Sequence, residues 1–425
     1  MTSASPSGRI ARTGISWRML AHPAAIIAMA GGLLIGLLSV PAGAAPTASS
    51  ATTGVSGSYI PVTPTRIADT RPGSGFPYAT QTIRSGGTLD VQVSGNGGVP
   101  TGAAVAVLNV TAINPSQPGF LSVNPEGQDQ PASVSNLNFG AGQTTANLVT
   151  VPLSSAGAVG IFNHMGNTDV AVDVQGYYGS SPASDGSGLF NTVPPTRALG
   201  TLQSGSPIGP DTAVSVPVAA DTGVPADATA VVVNLTASGG TDASFLSAYG
   251  TGTSQPTVSN LDFVAGQTVA NRATVPLGTN GDIEVYNHTG TVNVDVDVNG
   301  YYTGAGGTGS AFVPITPQRL VDTRTSTGGT SIAPNTTESF GVTNGSIPSS
   351  ASAVATNVTA IPGNAPGYLT VYPTADTTVP VASDVDWAAD EVVPNFTIAD
   401  TAGTGHVNIF NNQGATLDLA IDAFG

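Results

Sequence analysis

Apolar and polar residues alternate at a period of two along short segments of this chain, which is the pattern of half-buried β-strands. The segments are rich in Val, Thr, Ile and Phe, are separated by Gly, Pro and Asn, and recur about every 8–12 residues. AVAVLNVTA (104–112) is apolar on both alternations, so we expect a central strand that is covered on both sides. In the first third of the chain, strands are predicted near 60–67, 88–93, 104–112, 119–124, 134–139, 144–152, 158–163 and 168–175.

The same pattern occurs three times. VLNVTA (107–112) returns as VVNLTA (232–237) and ATNVTA (355–360), which identifies a tandem repeat. Gly/Ser-rich segments separate the copies and predict repeats that touch without rigid docking. In chain order we predict a secretory signal peptide (1–44), a flexible linker (45–58), repeat 1 (59–178), a linker (179–189), repeat 2 (190–302), a linker (303–311) and repeat 3 (312–425).

Each repeat is predicted to be all-β, because no segment after the signal peptide has the apolar period of a helix. Eight strands in about 115 residues suit a β-sandwich, for which jelly-roll-like connections are one arrangement. The predicted fold class is therefore all-β, with three tandem β-sandwich repeats of about eight strands each. A closed barrel is the alternative.

The first 44 residues have the organisation of an export signal. Arg9, Arg12 and Arg18 precede an apolar run at 24–40, and Ala42-Gly43-Ala44 forms a small-residue cleavage site. An uncleaved membrane anchor is the alternative, but the run is only 17 residues long and contains glycines. We therefore expect a secreted protein that lies outside the cell or on its surface, with no membrane contact after cleavage.

Composition narrows the classes of partner. All 26 acidic residues lie after position 44, where seven arginines and no lysine accompany them, so the net charge there is −19. Nucleic acids and anionic membranes require clustered cations and are excluded as expected partners. Charged residues make up only 8% of the chain, so its surface consists mostly of uncharged polar side chains. The chain has no cysteine, and its stability must come from packed cores.

DVDVNGYY (295–302) resembles the opening of a calcium-binding loop. The other repeats lack its first acidic residue, because Ala171 and Ala420 stand where repeat 2 has Asp295. The twelfth position, which an EF-hand fills with a bidentate acid, is Gly306. We interpret the segment as the last strand of the repeat and predict no metal site and no cofactor.

An arginine near the start of each repeat and an aspartate in its last strand recur in all three copies. We predict that they pair and tie the first strand to the last, since a guanidinium and a carboxylate form a bidentate contact. A second Asp and Arg recur in repeats 1 and 3 and are lost together in repeat 2, which indicates a second pair; a ligand site in those two repeats is the alternative. The predicted latches are Arg66–Asp173, Arg197–Asp297 and Arg319–Asp422, and the second pairs are Asp69–Arg71 and Asp322–Arg324.

Enzymatic chemistry has little support in the sequence, and no catalytic residue is predicted. His164 and His288 lie in Asn-His-x-Gly segments that are typical of hairpin turns. Glutamate does not recur at equivalent positions, which argues against the paired carboxylates of a glycosidase. A hydrolase site present in one repeat only remains an alternative.

Carbohydrate binding is a stronger alternative, since such sites use exposed aromatic side chains. Candidate glycan contacts are Tyr177, Tyr178, Tyr301 and Tyr302, which could instead fill the end of a repeat. Three Asn-x-Thr triplets, at Asn109, Asn234 and Asn357, match the glycosylation sequon. They lie in the apolar central strand, where we interpret them as strand residues that hydrogen-bond to a neighbouring loop.

The motifs TPTRIADTR, VLNVTA, SNLNF followed by GQT and VPL, and VDVQGYY together resemble a repeat domain of secreted actinobacterial proteins. The resemblance covers nearly all of 59–425. An export signal followed by three such repeats is similar to matrix proteins that surround spores in sporangium-forming actinomycetes. Repeat 2 departs from the pattern at Gly200 and Leu202, and repeat 3 departs across the GQT block.

Composition and resemblance together predict a non-catalytic structural protein of an extracellular or sporangium matrix. Its partners would be other copies of itself or other matrix components, through weak contacts multiplied over three repeats. A protein that adheres to cell-wall or matrix polysaccharide is the alternative.

Overall fold

The computed structural model describes residues 57–128, 134–344 and 346–425. The predicted signal peptide and most of the first predicted linker lie outside the described residues. Within the described residues the only α-helices are single turns, α1 (Thr201–Ser204) and α2 (Val218–Asp221). No helix among them is long and apolar enough to cross a membrane.

Each sequence repeat contributes eight strands. Repeat 1 contains β1 (Tyr59–Asp69), β2 (Thr88–Gln92), β3 (Val105–Ile113), β4 (Gly119–Pro125), β5 (Leu137–Phe139), β6 (Thr145–Pro152), β7 (Ala158–Asn163) and β8 (Asp169–Tyr178). Repeat 2 contains β9 (Phe190–Gly200), β10 (Thr212–Val216), β11 (Ala230–Ser238), β12 (Ser244–Gly250), β13 (Leu261–Phe263), β14 (Thr268–Pro276), β15 (Ile283–Asn287) and β16 (Asn293–Tyr302). Repeat 3 contains β17 (Gln318–Asp322), β18 (Thr337–Gly341), β19 (Ala353–Ile361), β20 (Gly367–Pro373), β21 (Val385–Trp387), β22 (Val393–Asp400), β23 (His406–Asn411) and β24 (Asp418–Ala423).

These strands form six antiparallel sheets of four strands, two for each repeat. The first sheets have the orders β1-β8-β3-β6, β9-β16-β11-β14 and β17-β24-β19-β22. The second sheets have the orders β2-β7-β4-β5, β10-β15-β12-β13 and β18-β23-β20-β21. Consecutive strands thus alternate between two sheets over much of each repeat.

The prediction of three tandem β-sandwich repeats was wrong. The described chain is organised as six four-stranded blades, in the manner of a β-propeller, although the strands within a blade do not follow one another in sequence. The physical reason is that the alternation of apolar and polar residues identifies only the two faces of a strand. The alternation does not show which sheet the strand joins or what covers the strand's outer face. Part of the apolar surface that we assigned to the interior of a single repeat is buried against other repeats.

The central strand β3 illustrates this division. It lies between β8 and β6, and eight of its nine residues are buried. Leu108 and Val110 belong to a core made by the two sheets of repeat 1. Val105 and Val107 point the other way, into an apolar cluster that contains residues of all three repeats. The covering on both sides that AVAVLNVTA predicts is therefore supplied by two different cores.

The starts of the three repeats are hydrogen-bonded to one another in a closed cycle. Repeat 1 contacts the segment before repeat 2, repeat 2 contacts the segment before repeat 3, and repeat 3 contacts the segment before repeat 1. The bonds are Tyr59 N to Gly188 O (2.8 Å), Phe190 N to Ser310 O (2.8 Å) and Phe312 N to Gly57 O (3.1 Å). Residues that were predicted as linkers thus take part in the backbone hydrogen bonding that joins the repeats.

A glycine in the last strand permits close packing beside Tyr59. A Cβ added at Gly176 would lie 2.2 Å from Tyr59 Oη, and this buried hydroxyl donates to Gln175 O. We expect Gly176→Ala to reduce the free energy of unfolding by about 2 kcal/mol through overpacking. Gly363→Ala is the control, because nothing lies within 4 Å of the added Cβ and a change below about 0.5 kcal/mol is expected. Equal urea-denaturation midpoints for the two variants would contradict this description.

Candidate functional site

The recurring Arg and Asp of each repeat are directly opposite each other on the first and last strands. Arg66 on β1 is the cross-strand partner of Asp173 on β8, with Nε 2.8 Å from Oδ1 and Nη2 3.0 Å from Oδ2. The same bidentate contact joins Arg197 to Asp297, at 2.6 and 2.9 Å, and Arg319 to Asp422, at 2.5 and 2.9 Å. The structure thus brings together all three predicted latch pairs.

A second carboxylate completes the contacts of the latch arginine in repeats 1 and 3. Asp69 accepts hydrogen bonds from Arg71, at 2.6 Å for the closest contact, and from Arg66 at 3.2 Å. In repeat 3, Asp322 has the equivalent contacts with Arg324 at 2.7 Å and with the latch arginine at 3.2 Å. The hydrogen bond from Arg324 lowers the pKa of Asp322. These residues form the second predicted pairs.

Repeat 2 supplies that second carboxylate from the opposite strand. Gly200 replaces the aspartate on the first strand, and its cross-strand partner is Asp295, which accepts from Arg197 Nη1 at 2.6 Å. In repeat 1 the aspartate, Asp69, is on the first strand, and the residue opposite it on the last strand is Ala171. The extra aspartate of DVDVNGYY therefore replaces the one that repeat 2 lacks. In the described residues no group of three His, Asp or Glu side chains is arranged to hold a metal ion.

The sequon asparagines continue this polar row across the first sheet. Asn109 is the cross-strand partner of Asp173 on one side and of Leu148 on the other, and it is fully buried. Its Nδ2 donates to Ser259 O of repeat 2 at 2.9 Å. The equivalent bonds run from Asn234 to Ser383 O at 2.6 Å and from Asn357 to Ser135 O at 2.8 Å. Each repeat thus binds the backbone ahead of the short strand of the next repeat.

A second set of asparagines completes the contacts between repeats, and we call the six side chains the asparagine ring. The donors lie in β6, β14 and β22, and the acceptors lie in β3, β11 and β19. The bonds run from Asn271 Nδ2 to Asn109 Oδ1 (2.9 Å), from Asn395 Nδ2 to Asn234 Oδ1 (2.7 Å) and from Asn147 Nδ2 to Asn357 Oδ1 (2.9 Å). Repeat 2 therefore donates to repeat 1, repeat 3 to repeat 2, and repeat 1 to repeat 3.

One ion pair distinguishes the interface between repeats 2 and 3 from the other two. Arg272 occupies the position of Leu148 and Phe396, and its side chain is 1% exposed. It donates to Asp384, which stands where the other repeats have Asn136 and Asn260. Sequence reasoning missed this pair, although the two joint departures from the repeat pattern are visible in an alignment of the three copies.

Another acidic residue, Asp386, lies at the same interface, and no arginine among the described residues forms an ion pair with it. Asp386 is 7% exposed and is the counterpart of Asn138 in repeat 1. Burial, together with the nearby carboxylates of Asp297 and Asp295, raises the pKa of Asp386 to about 7. A hydrogen bond from Ser383 lowers this pKa but does not cancel the rise. Asp262 is the equivalent residue of repeat 2, and burial raises its pKa to about 6.

The four candidate tyrosines do not form exposed platforms. Tyr178 and Tyr302 are buried, and their hydroxyl groups lie 2.6 Å apart in the apolar cluster between the repeats. Tyr177 and Tyr301 are partly buried against the cores of repeats 1 and 2. Of the four candidate glycan contacts, Tyr178 and Tyr302 are therefore covered by neighbouring repeats, whereas Tyr177 and Tyr301 stay candidates.

The histidines of the Asn-His-x-Gly segments are exposed and stack on aromatic neighbours. His164 lies 4.4 Å from Phe120 between ring centroids, and His288 lies 4.7 Å from Phe245. The glycine that follows has a positive φ in both segments, as a turn requires. These histidines therefore have a structural role in the turns.

Comparisons with known proteins give no family. No protein-family model matches the chain, and no curated protein matches it. One solved structure, described as "Life in the extremes: atomic structure of Sulfolobus Turreted Icosahedral Virus", is 11% identical over 81% of this chain and 85% of that chain, with a TM-score of 0.18. A second, described as "The Triple Jelly Roll Fold and Turret Assembly in an Archaeal Virus", is 10% identical over 87% and 90%, with a TM-score of 0.17. Likenesses at these TM-scores carry no argument.

Removing one amide from the asparagine ring should destabilise all three repeats together. Asn109→Ala leaves buried polar groups of repeat 2 without a partner, so we expect a loss of about 2–3 kcal/mol in the free energy of unfolding. Asn167→Ala is the control, because this side chain is exposed and a change below about 0.5 kcal/mol is expected. Chemical denaturation should show one transition in both variants. A separate early transition for repeat 1 would contradict the role of the ring.

The raised pKa of Asp386 predicts a stability that falls as pH rises. Between about pH 4 and pH 7 the folded protein keeps a proton that the unfolded chain has lost, so this group favours folding less at higher pH. Asp386→Asn, which reproduces Asn138 of repeat 1, should raise the free energy of unfolding by on the order of 2 kcal/mol at pH 8 and by little at pH 4. Asp221→Asn at an exposed position is the control. Parallel pH profiles for wild type and Asp386→Asn would refute the assignment.

Proposed function

We propose that this chain is a secreted, non-catalytic structural protein of an extracellular matrix, of the kind that surrounds spores in a sporangium. The observation that carries the proposal is the asparagine ring, which joins three copies of one unit into a single body. A body of this kind presents each surface feature of the unit three times. Weak contacts repeated three times give strong association without any single tight site.

Three equivalent strand edges offer such a feature. β2, β10 and β18 each end a sheet, and their outward residues Asp90, Ser215 and Ser339 are exposed. The unpaired backbone of an edge strand can hydrogen-bond to another chain, and soluble proteins often guard such edges with lysine. This chain has no lysine, and few charges of any kind, to keep neighbouring molecules apart. In this mechanism, edge strands of neighbouring molecules pair and build the matrix.

Sedimentation of the purified protein tests the proposal. The protein should form large assemblies when it is centrifuged alone, and Ser215→Lys with Ser339→Lys should reduce the pelleted fraction several-fold, because lysines on an edge oppose strand pairing. Gln203→Lys with Thr316→Lys adds the same charge at exposed positions outside these edges and should leave the pelleted fraction unchanged.

The parallel experiment adds cell walls from the producing organism. Pelleting only in the presence of walls, with competition by soluble wall polysaccharide, would replace the matrix proposal with adhesion to glycan. A protein that remains monomeric at high concentration under both conditions would refute both.

A further inference from the structure

A polar cavity of about 220 Å³ lies between repeats 1 and 2, beside the latch of repeat 1. Its wall includes Arg66, Arg71 and Thr111 of repeat 1 together with Phe245 and Asp262 of repeat 2. Thr111 is buried and Arg71 is exposed, so the cavity reaches from the surface into the interface. Pockets for drug-sized ligands measure roughly 300–1,000 Å³, and this smaller space suits a single small ring.

One buried hydroxyl in this wall lacks a partner. Thr111 is 3% exposed, and no group among the described residues forms a hydrogen bond with its Oγ1. The equivalent Thr236 of repeat 2 does have a contact, because its Oγ1 lies 3.4 Å from Ser383 Oγ across the next interface. Since an unpaired buried hydroxyl is unfavourable, Thr111 favours a polar ligand that enters the cavity.

An aromatic ring and a carboxylate lie side by side on the repeat 2 wall. Phe245 on β12 is the cross-strand partner of Asp262 on β13, and Phe245 stacks on His288 with 4.7 Å between ring centroids. Asp262 Oδ2 accepts a hydrogen bond from Ser259 at 3.0 Å. A carboxylate has about four acceptor sites, so Asp262 keeps capacity for further donors. A pyranose ring uses both features, because its C–H groups pack on an aromatic ring and its hydroxyls donate to a carboxylate.

The charges around the cavity favour a neutral ligand over an anion. Arg66 forms ion pairs with Asp173 and Asp69, and Arg71 forms one with Asp69. These two arginines and two aspartates balance, and an ionised Asp262 adds a negative charge that would repel an anion. Arg71 donates to Asp69 through Nε and Nη2, and the hydrogen bonds of the described residues leave its Nη1 available to a ligand.

From the cavity and its unpartnered hydroxyl we infer that the protein binds one neutral sugar residue, in its pyranose form, between repeats 1 and 2. Thr111, Asp262 and Arg71 hold the hydroxyl groups of the sugar, and Phe245 packs against its ring. This inference goes beyond the matrix proposal, which concerns strand edges, and either can fail without the other.

The other two interfaces each lack part of this site. Repeat 2 has Leu202 where repeat 1 has Arg71, and there the hydroxyl of Thr236 already has a protein contact. At the interface with repeat 3, repeat 1 has Asn138 where repeat 2 has Asp262. A carboxamide oxygen accepts fewer hydrogen bonds than a carboxylate. We therefore expect one bound sugar per chain.

Ligand-observed NMR and isothermal titration at about pH 7.5 test the site with named sugars. The probes are D-glucose, D-galactose, D-mannose and N-acetyl-D-glucosamine, with the uronates of the first three as anionic counterparts. At least one neutral sugar should bind at a single site, and the uronates should bind several-fold more weakly than that sugar. Absence of binding by all four neutral sugars, or tighter binding of a uronate, would overturn the inference.

Thr111→Val separates ligand binding from stability. Valine keeps the shape of the side chain without its hydroxyl, so the affinity for the bound sugar should fall about tenfold, the effect of one lost hydrogen bond. The urea-denaturation midpoint should stay unchanged or rise, because this hydroxyl has no partner among the described residues.

Thr359→Val is the matched control for Thr111→Val. The equivalent Oγ1 of repeat 3 also lacks a partner among the described residues, and Thr359 does not line the cavity. This variant should leave the affinity unchanged. Equal affinities for wild type and Thr111→Val, or equal losses in the two variants, would place the sugar elsewhere and overturn the inference.

Asp262 should give the binding a pH dependence. Burial and the nearby Asp173 raise the pKa of Asp262 to about 6, although Ser259, Arg66 and Arg71 act in the opposite direction. The affinity of the wild type should therefore fall several-fold from about pH 7.5 to about pH 5, because a protonated carboxyl accepts fewer hydrogen bonds. Asp262→Asn should bind weakly at both pH values and remain folded. A wild-type affinity that is equal at both pH values, or wild-type affinity in Asp262→Asn, would contradict the site.

Methyl glycosides distinguish the two sources of such a sugar. A methyl glycoside that binds as tightly as the free sugar would assign the site to the terminal residue of a glycan, whereas weaker binding would assign it to the free sugar. Ser215→Lys with Ser339→Lys should retain sugar binding, because neither residue lines the cavity. The sugar site is thus tested whether or not the edge strands drive association.

Discussion

The hydrogen bonds of the asparagine ring are the interaction on which the rest of the structure depends. Each buried carboxamide has partners in another repeat, and removing one leaves desolvated donors and acceptors whose cost is about 1–3 kcal/mol each. Apolar contacts alone would allow the repeats to rotate or slide, since they are not directional. The carboxamides fix one register between the repeats. Each latch aspartate lies directly opposite a ring asparagine on the neighbouring strand, so the latches adjoin the contacts that set this register.

The departures from three-fold repetition follow a common rule: a change at one position is offset at a position it contacts. Asp295 replaces the carboxylate that Gly200 removes, from the opposite strand and onto the same arginine. Arg272 faces Asp384, and neither has a charged counterpart in the other repeats. A buried pair of this kind adds little net stability but disfavours an exchange of partners, because a lone buried charge is costly. Replacing Arg272 or Asp384 alone would therefore leave the other as an uncompensated charge at that interface.

The sequence predicted the strands of repeat 1 to within a few residues, because their faces alternate between apolar and polar residues. It also predicted which Arg and Asp residues pair. Comparison of equivalent positions in the three repeats shows which of these residues recur together and which are lost together. The blade organisation could not be read from the same pattern, because Val105 and Leu108 are equally apolar although they face different cores. The carboxamide contacts were hidden for another reason: Asn109 matches a sequon, and only the fold shows that a backbone carbonyl of repeat 2 occupies its surroundings.

Linking three copies in one chain permits interfaces that a trimer of separate chains would find costly. In a trimer of identical chains, every interface would contain the same residues. Three copies of repeat 2 would bury Arg272 three times without Asp384. Three copies of repeat 3 would place Asp386 beside another carboxylate three times. A single chain can place one ion pair at one interface, keep an uncharged Asn138 at another and raise the pKa of an aspartate at a third.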